Sequence, residues 1–145
     1  MGIDREDEIM RSSVRAMLWA SSSVALAGTA LAADLTGAEI KALLYGKTVY
    51  LETTAVSAAG KAGQGVIYWT EDGTALYKTP DGSMMHGKSE IKGDTNCTEW
   101  KERPGTACTR YDKQGDVITI FDVKSGQVRA KVVKTAPGNA EKLAP

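Results

Sequence analysis

The chain has 145 residues, with 18 Lys or Arg balanced by 18 Asp or Glu, for a formal net charge of zero. That length suits one domain and excludes two. The even charge excludes the electrostatic footprint of a nucleic-acid or anionic-membrane binder. An apolar fraction of 42% is enough to build a core, which excludes a disordered polymer.

Arg11 and Arg15 precede an apolar run from Ala16 to Leu31, which closes on Ala30-Leu31-Ala32 before Ala33-Asp34. This is the basic region, apolar stretch and small-residue cleavage site of a secretory signal. The acidic stretch Asp4 to Glu8 is foreign to such a leader, and Met10-Arg11-Ser12 begins a better one, so the start is expected at Met10. Ser21, Ser22, Ser23, Gly28 and Thr29 make the run too polar for an uninterrupted membrane span. With no cysteine directly after the cleavage site and no Arg-Arg pair, neither a lipid anchor nor the twin-arginine route is expected. The chain therefore divides into a signal peptide over 1–32 and a single β-rich domain over 33–145. Removing the leader takes away three basic and four acidic side chains and leaves 15 against 14. The expected location is the periplasm or the exterior, with no stable membrane insertion once the signal is cut.

Leu35-Thr36-Gly37-Ala38-Glu39-Ile40 predicts a helix start, because Thr36 and Glu39 can cap each other's free amides while Leu35 and Ile40 occupy the staple positions. Ile40, Leu43 and Leu44 form one stripe, and Gly46 suits the left-handed conformation that ends a helix of about two turns. From Lys47 the pattern changes to alternation in short runs. Glycines at 73, 82, 93, 105, 115 and 126 punctuate it every nine to twelve residues, the mark of an antiparallel meander. Strands are expected near 48–53, 65–70, 74–78, 84–91, 96–101, 107–112, 116–121 and 128–133. Eight such strands suffice to close a small up-and-down β-barrel, so the predicted fold class is mainly β with one short N-terminal helix. Strands this short and charged do not suit an outer-membrane barrel.

In the last strand Val128, Ala130 and Val132 share the core face, with Arg129 and Lys131 on the wet one. The same alternation turns Trp100 and Tyr111 inward. The Ala, Gly and Ser stretch from Thr54 to Gln64 has little to bury and is expected to be a mobile surface loop. Residues 134–145, bracketed by Pro137-Gly138 and Pro145, read as a solvated tail.

Cys97 and Cys108 are the only cysteines. Delivered to an oxidising compartment, lying in consecutive strands around a Pro104-Gly105 turn, they are expected to form a cross-strand disulfide. A C-x-x-C redox motif is absent from the sequence.

Little else in the sequence points to catalysis. His86 is the sole histidine, so a metal site would need Met84 or carboxylates, and a serine triad would need His86 as base without a G-x-S-x-G elbow. Glu52, Asp72, Asp81, Glu99, Asp112, Asp116 and Asp122 supply carboxylates, most of them at turns where aspartate serves the backbone. Gly46-Lys47-Thr48 is a helix stop rather than a phosphate loop, Asp112 to Asp116 a hairpin rather than a calcium loop, and Gly60, Gly63 and Gly65 loop composition. No catalytic residue, metal ligand or cofactor is expected.

The segments Leu35 to Ile40, Gly46-Lys47-Thr48-Val49, the Asp72-Gly73 turn and Cys97…Trp100…Cys108 together resemble a family of small exported proteobacterial proteins of unknown function. The resemblance spans nearly all of 33–145 and implies no activity. It would place an aromatic within two positions of Gly87, where this chain has Lys88-Ser89. The architecture is also similar to lipocalin-like barrels in fold, which licenses no function. The leading expectation is a non-catalytic binding or interaction module for a small apolar ligand or a protein partner, with Tyr50, Tyr68, Trp69, Tyr77, Trp100 and Tyr111 as candidate pocket residues. The alternative is an inhibitor of an envelope or host enzyme of the lysozyme or protease class. A carboxylate-dependent hydrolase comes third.

Overall fold

The structure, a computed structural model, describes residues 32–145. The expected signal peptide, apart from Ala32, lies outside the described residues. In chain order the described residues form β1 (Ala33–Asp34), α1 (Gly37–Leu44), β2 (Lys47–Thr53), β3 (Gly63–Trp69), β4 (Thr74–Lys78), β5 (Met84–Lys92), β6 (Thr95–Trp100), β7 (Thr106–Gln114), β8 (Val117–Asp122) and β9 (Val128–Pro137). Strands β2 to β9 pair antiparallel with their sequence neighbours, and β9 returns to pair with β2, which closes an eight-stranded up-and-down barrel. Each expected strand is present. β7 outruns its pairing with β6, and β1 takes the vacant edge through Asp34↔Asp112 and Ala33↔Lys113.

Thr36 caps α1 through the reciprocal box expected, accepting from the Glu39 amide while Glu39 accepts from the Thr36 amide at 3.1 Å. Leu35, Ile40 and Leu44 are buried in the barrel core, so the helix stoppers one end of the barrel. Gly46 adopts φ +74°, but its amide donates to Trp69 O at 2.8 Å, so the helix ends by handing the chain directly to the sheet.

Two turns repeat one chemical solution, Thr-x-Asp-Gly-Thr/Ser. At Thr70 to Thr74 and at Thr79 to Ser83 the aspartate accepts from the preceding threonine hydroxyl and from the following amide, while Gly73 and Gly82 supply the positive φ. Those bonds, led by the threonine hydroxyl at Asp72 and by the Lys61 ammonium at Asp81, hold both carboxyls well below their ordinary pKa. Aspartates 72 and 81 thus fix hairpins.

Inside the barrel, Trp69 Nε1 donates to Ser89 Oγ at 3.0 Å, and Ser89 shares a 2.7 Å hydrogen bond with Thr98. Gly87, two residues earlier on the same face, gives its space to Trp100: a Cβ there would lie 2.8 Å from Trp100 Cε3. The indole of Trp100 packs at 5.7 Å from Tyr77. Ser89 lies against the Trp69 indole, so a bulkier side chain at position 89 would compete with Trp69 for space. Ser89→Ala leaves the buried Trp69 N–H without an acceptor and is expected to cost about 2 kcal/mol. Urea unfolding checks it, and an unchanged midpoint would show the indole satisfied elsewhere.

The segments expected to be loose are packed. In the connection after β2, Ser57 is buried and Ala58 and Ala59 lie against the core. Thr53 and Ser57 hydroxyls both donate to Lys61 O, and the Thr54 amide donates to Arg129 O at 2.9 Å. Its small side chains, read as nothing to bury, are what let the segment fold inward. The tail is corrected likewise. β9 runs on to Pro137, Thr48 Oγ1 donates to Gly138 O and accepts from the Ala140 amide, and Leu143 is buried.

Candidate functional site

The end of the barrel opposite α1 is built from the 54–62 connection and the turns 79–83, 101–105 and 123–127. Alternation along β2 to β4 and along β6 and β7 sends Leu51, Ile67, Trp69, Tyr77, Trp100 and Tyr111 inward. They leave a residual cavity of about 60 Å³ between the strands and the 54–62 connection. Ligand pockets run to roughly 300–1,000 Å³, so this interior is largely filled by its own side chains.

Four of the six aromatics named from the sequence, Trp69, Tyr77, Trp100 and Tyr111, line this cavity. Tyr50 and Tyr68 do not. The pleat puts them on the outer face, where the Tyr50 hydroxyl donates to Glu141 at 2.5 Å beneath the Lys134 ammonium and Tyr68 is half-buried beside Thr48 and Leu76. The remaining lining comes from residues the sequence did not single out, chiefly Thr53, Ser57, Ala58, Asn96, Thr98 and Arg129. The inward placing of Asn96 and Thr98 follows from that of Trp100 by the two-residue period. Nothing of that kind would have found Arg129.

Arg129 corrects an expectation. Ile120 pairs with Ala130 and Phe121 with Val128, so Arg129 is the extra residue of a β-bulge. A bulge breaks the two-residue alternation, and a side chain assigned to the wet face lines the cavity instead, only 18% exposed. Its Nε lies 3.2 Å from Asp122 Oδ1. Burial raises the Asp122 pKa, but the Ser125 amide and hydroxyl and the Arg129 charge outweigh it, and the carboxyl is held below its ordinary value.

Outside the mouth lies a groove of about 570 Å³, walled by the 101–105 turn, the start of β7 and the 123–127 turn. Pro104, Trp100 and Val123 give it apolar surface, with Val123 47% exposed. Arg103, Lys124 and Arg129 supply positive charge against the single carboxylate of Asp122. Ala58, Trp100, Ala107 and Arg129 line both the cavity and the groove, so the two adjoin.

Cys97 and Cys108 form the expected disulfide on the outer face, directly cross-strand with Cα atoms 4.0 Å apart. It pins the hairpin that makes one wall of the groove, and Cys108 O accepts from the Val123 amide at 3.0 Å, tying in the opposite wall.

Tyr111 is buried in the barrel core. Burial pushes its hydroxyl up to about 12, past the smaller opposing pull of Thr109, Asn96 and Arg129. An unfolded tyrosine ionises near 10, so the stabilisation tied to neutral Tyr111 is complete below that pH and is lost as pH rises toward 12. Thermal melts between pH 9 and 12 are expected to show Tyr111→Phe losing less stability than the parent over this window. Parallel losses would refute the assignment.

His86 faces outward. Its Nδ1 lies 2.8 Å from Glu102 Oε1, whose carboxylate also accepts from the His86 amide. Burial raises the Glu102 pKa, and these donors more than offset it, leaving the carboxyl below its ordinary value. Among the described residues no group of three or more His, Cys, Asp or Glu side chains is placed to hold a metal ion, and no helix is long and apolar enough to cross a membrane. Compared with protein-family models, with curated proteins and with solved structures, the chain has no match in any of the three.

Proposed function

We propose that this protein is a non-catalytic binding module of the periplasm or the exterior, which seats a small, largely apolar ligand at the loop end of its barrel. The observation that carries this reading is the continuity of cavity and groove through Ala58, Trp100, Ala107 and Arg129. The cavity alone is too small for a ligand body, whereas the groove falls within the usual range of binding-site volumes. The Trp100 indole at the junction offers an aromatic face, and β6 holds it rigidly. The disulfide supports an oxidising compartment, as does the export signal read from the sequence.

Native mass spectrometry of protein purified from the periplasm tests the reading. A co-purifying small molecule, lost when Trp100 is changed to Ala, is the expected result. Bare chain under gentle conditions, together with no response to hydrophobic probes, would overturn it. The exposed Val123 beside the Pro104-Gly105 turn favours a second reading, in which the same rim docks on an enzyme as its inhibitor. Retention of lysozyme or a protease on immobilised protein, abolished by Val123→Asp, would select that reading instead.

A further inference from the structure

We propose, resting on the ligand-binding reading above, that the 54–62 connection is a lid whose lifting joins the cavity to the groove and admits the body of an apolar ligand to the barrel mouth. Ala58 is the partition. It lines both spaces, as do Trp100, Ala107 and Arg129. Those three stand on β6, β7 and β9, whereas Ala58 belongs to a connection outside any strand. The two ends of the barrel are also closed by different means. At one end Leu35, Ile40 and Leu44 are buried with α1, three large apolar side chains. At the mouth the plug is Ser57, Ala58 and Ala59, one hydroxymethyl and two methyls. Burial stabilises in proportion to apolar area, so withdrawing this plug loses far less than unseating the helix.

The connection is packed, yet it is held lightly. At its base the Thr54 amide donates to Arg129 O at 2.9 Å and the Thr54 hydroxyl to Val128 O at 2.6 Å, which makes one hinge. Gly63, at φ +137°, makes the other. Between them the Ser57 amide donates to Thr54 O at 3.1 Å, the Gly60 amide to Ser57 O at 2.8 Å and the Ser57 hydroxyl to Lys61 O at 3.1 Å. Those bonds travel with the segment. Beyond Thr54, among the described residues, two hydrogen bonds join it to the rest: Thr53 Oγ1 donates to Lys61 O at 2.8 Å, and the Lys61 ammonium donates to Asp81 on the 79–83 turn. The second is the clasp. Its side chains are 54% and 39% exposed, and an ion pair so open to water is weak enough to part by thermal motion. The far edge of the lid meets the groove, because Gly60 lies against the Arg103 guanidinium, where a Cβ would come within 2.6 Å of Nη2.

Hydrogen exchange and fluorescence titration with N-phenyl-1-naphthylamine, a neutral apolar probe, test the proposal together on the disulfide-bonded protein. In the parent the Ser57 and Gly60 amides are expected to exchange by local opening, at least about tenfold faster than the Leu44 amide. Lys61→Ala removes the clasp and should raise the Ser57 and Gly60 rates about threefold. A probe that enters only the open form gains affinity in proportion to the open fraction, so its dissociation constant should fall by the same factor. Lys88→Ala removes the ion-pair partner of Asp72 on the sister turn at the α1 end, with the same change of charge, and should leave both measurements as in the parent. Exchange of Ser57 and Gly60 only with the whole barrel would overturn the lid and leave ligand binding in the groove intact. Faster exchange in Lys61→Ala without tighter binding would overturn the gating, again without touching the groove. Failure of parent and Lys61→Ala alike to bind the probe would overturn the ligand-binding reading itself and the lid's role with it.

Discussion

Replacing Cys97 and Cys108 together by alanine lowers the stability of the barrel by about 3 kcal/mol, the value expected when a crosslink spanning 11 residues no longer restrains the unfolded chain. For a domain of this length the loss corresponds to a fall of roughly 10–15 °C in melting temperature. Two circumstances make the full effect plausible here. The cysteines lie opposite each other in register, so the bridge forms between strands already paired, and Cys97 is buried, so alanine leaves little to rearrange. Urea unfolding of the double variant, compared with parent protein under strong reductant, provides the measurement. Agreement between the two supports the loop-entropy account, whereas a loss below about 1 kcal/mol would mean that the hairpin persists in the unfolded ensemble. Because the hairpin forms one wall of the groove and Cys108 O holds the Val123 amide of the other, the variant should also bind probes of the groove less tightly.

Gly37→Ala is expected to destabilise the fold by about 3 kcal/mol, at the upper end of the overpacking range. The sign is opposite to that given by helix propensity alone, which favours alanine over glycine inside a helix by about 1 kcal/mol. Gly37 is the first residue of α1, and a Cβ there would lie 2.2 Å from Gly93 O and 2.9 Å from Ile91 Cγ2. A carbonyl oxygen of a tight turn cannot rotate aside as a side-chain tip can, so the helix must lift. Lifting it also breaks the 2.8 Å hydrogen bond from the Gly37 amide to Asp94 and loosens Ile40 and Leu44 from the barrel end. Urea midpoints give the magnitude, and hydrogen exchange at the Ile40 and Leu44 amides locates it. A neutral or stabilising substitution would show that the helix does not seat against the β5–β6 turn.

Local chemistry accounts for most of what could be read in advance. The Thr36–Glu39 box works over three residues, the Asp-Gly turns over four, and the alternation of Asn96, Thr98 and Trp100 over two. Each therefore shows in a short window of sequence whatever the rest of the chain does. The disulfide was readable for the same reason, since consecutive strands around a short turn bring Cys97 and Cys108 into register. The inward turn of Trp69, Tyr77, Trp100 and Tyr111 belongs to the same category, but the outward placing of Tyr50 and Tyr68 does not. Aromatic identity alone suggests the pocket for them, whereas their strand position on the opposite face from Val49, Leu51, Ile67 and Trp69 is the better guide.

Periodicity, capping and turn chemistry act between near neighbours, so the order of residues alone specifies a meander of eight strands, a capped helix before it and a sulfur crosslink within it. Packing between distant segments sets the rest: the helix stoppers one end, the Ala-Gly-Ser connection folds over the other, and the tail packs along Thr48. It also decides the site. Arg129 enters the cavity because β9 gains one residue against β8, and that extra residue depends on how the two strands settle into register. Register is a property of paired strands, set by everything that closes the barrel, so no reading of one strand alone can supply it.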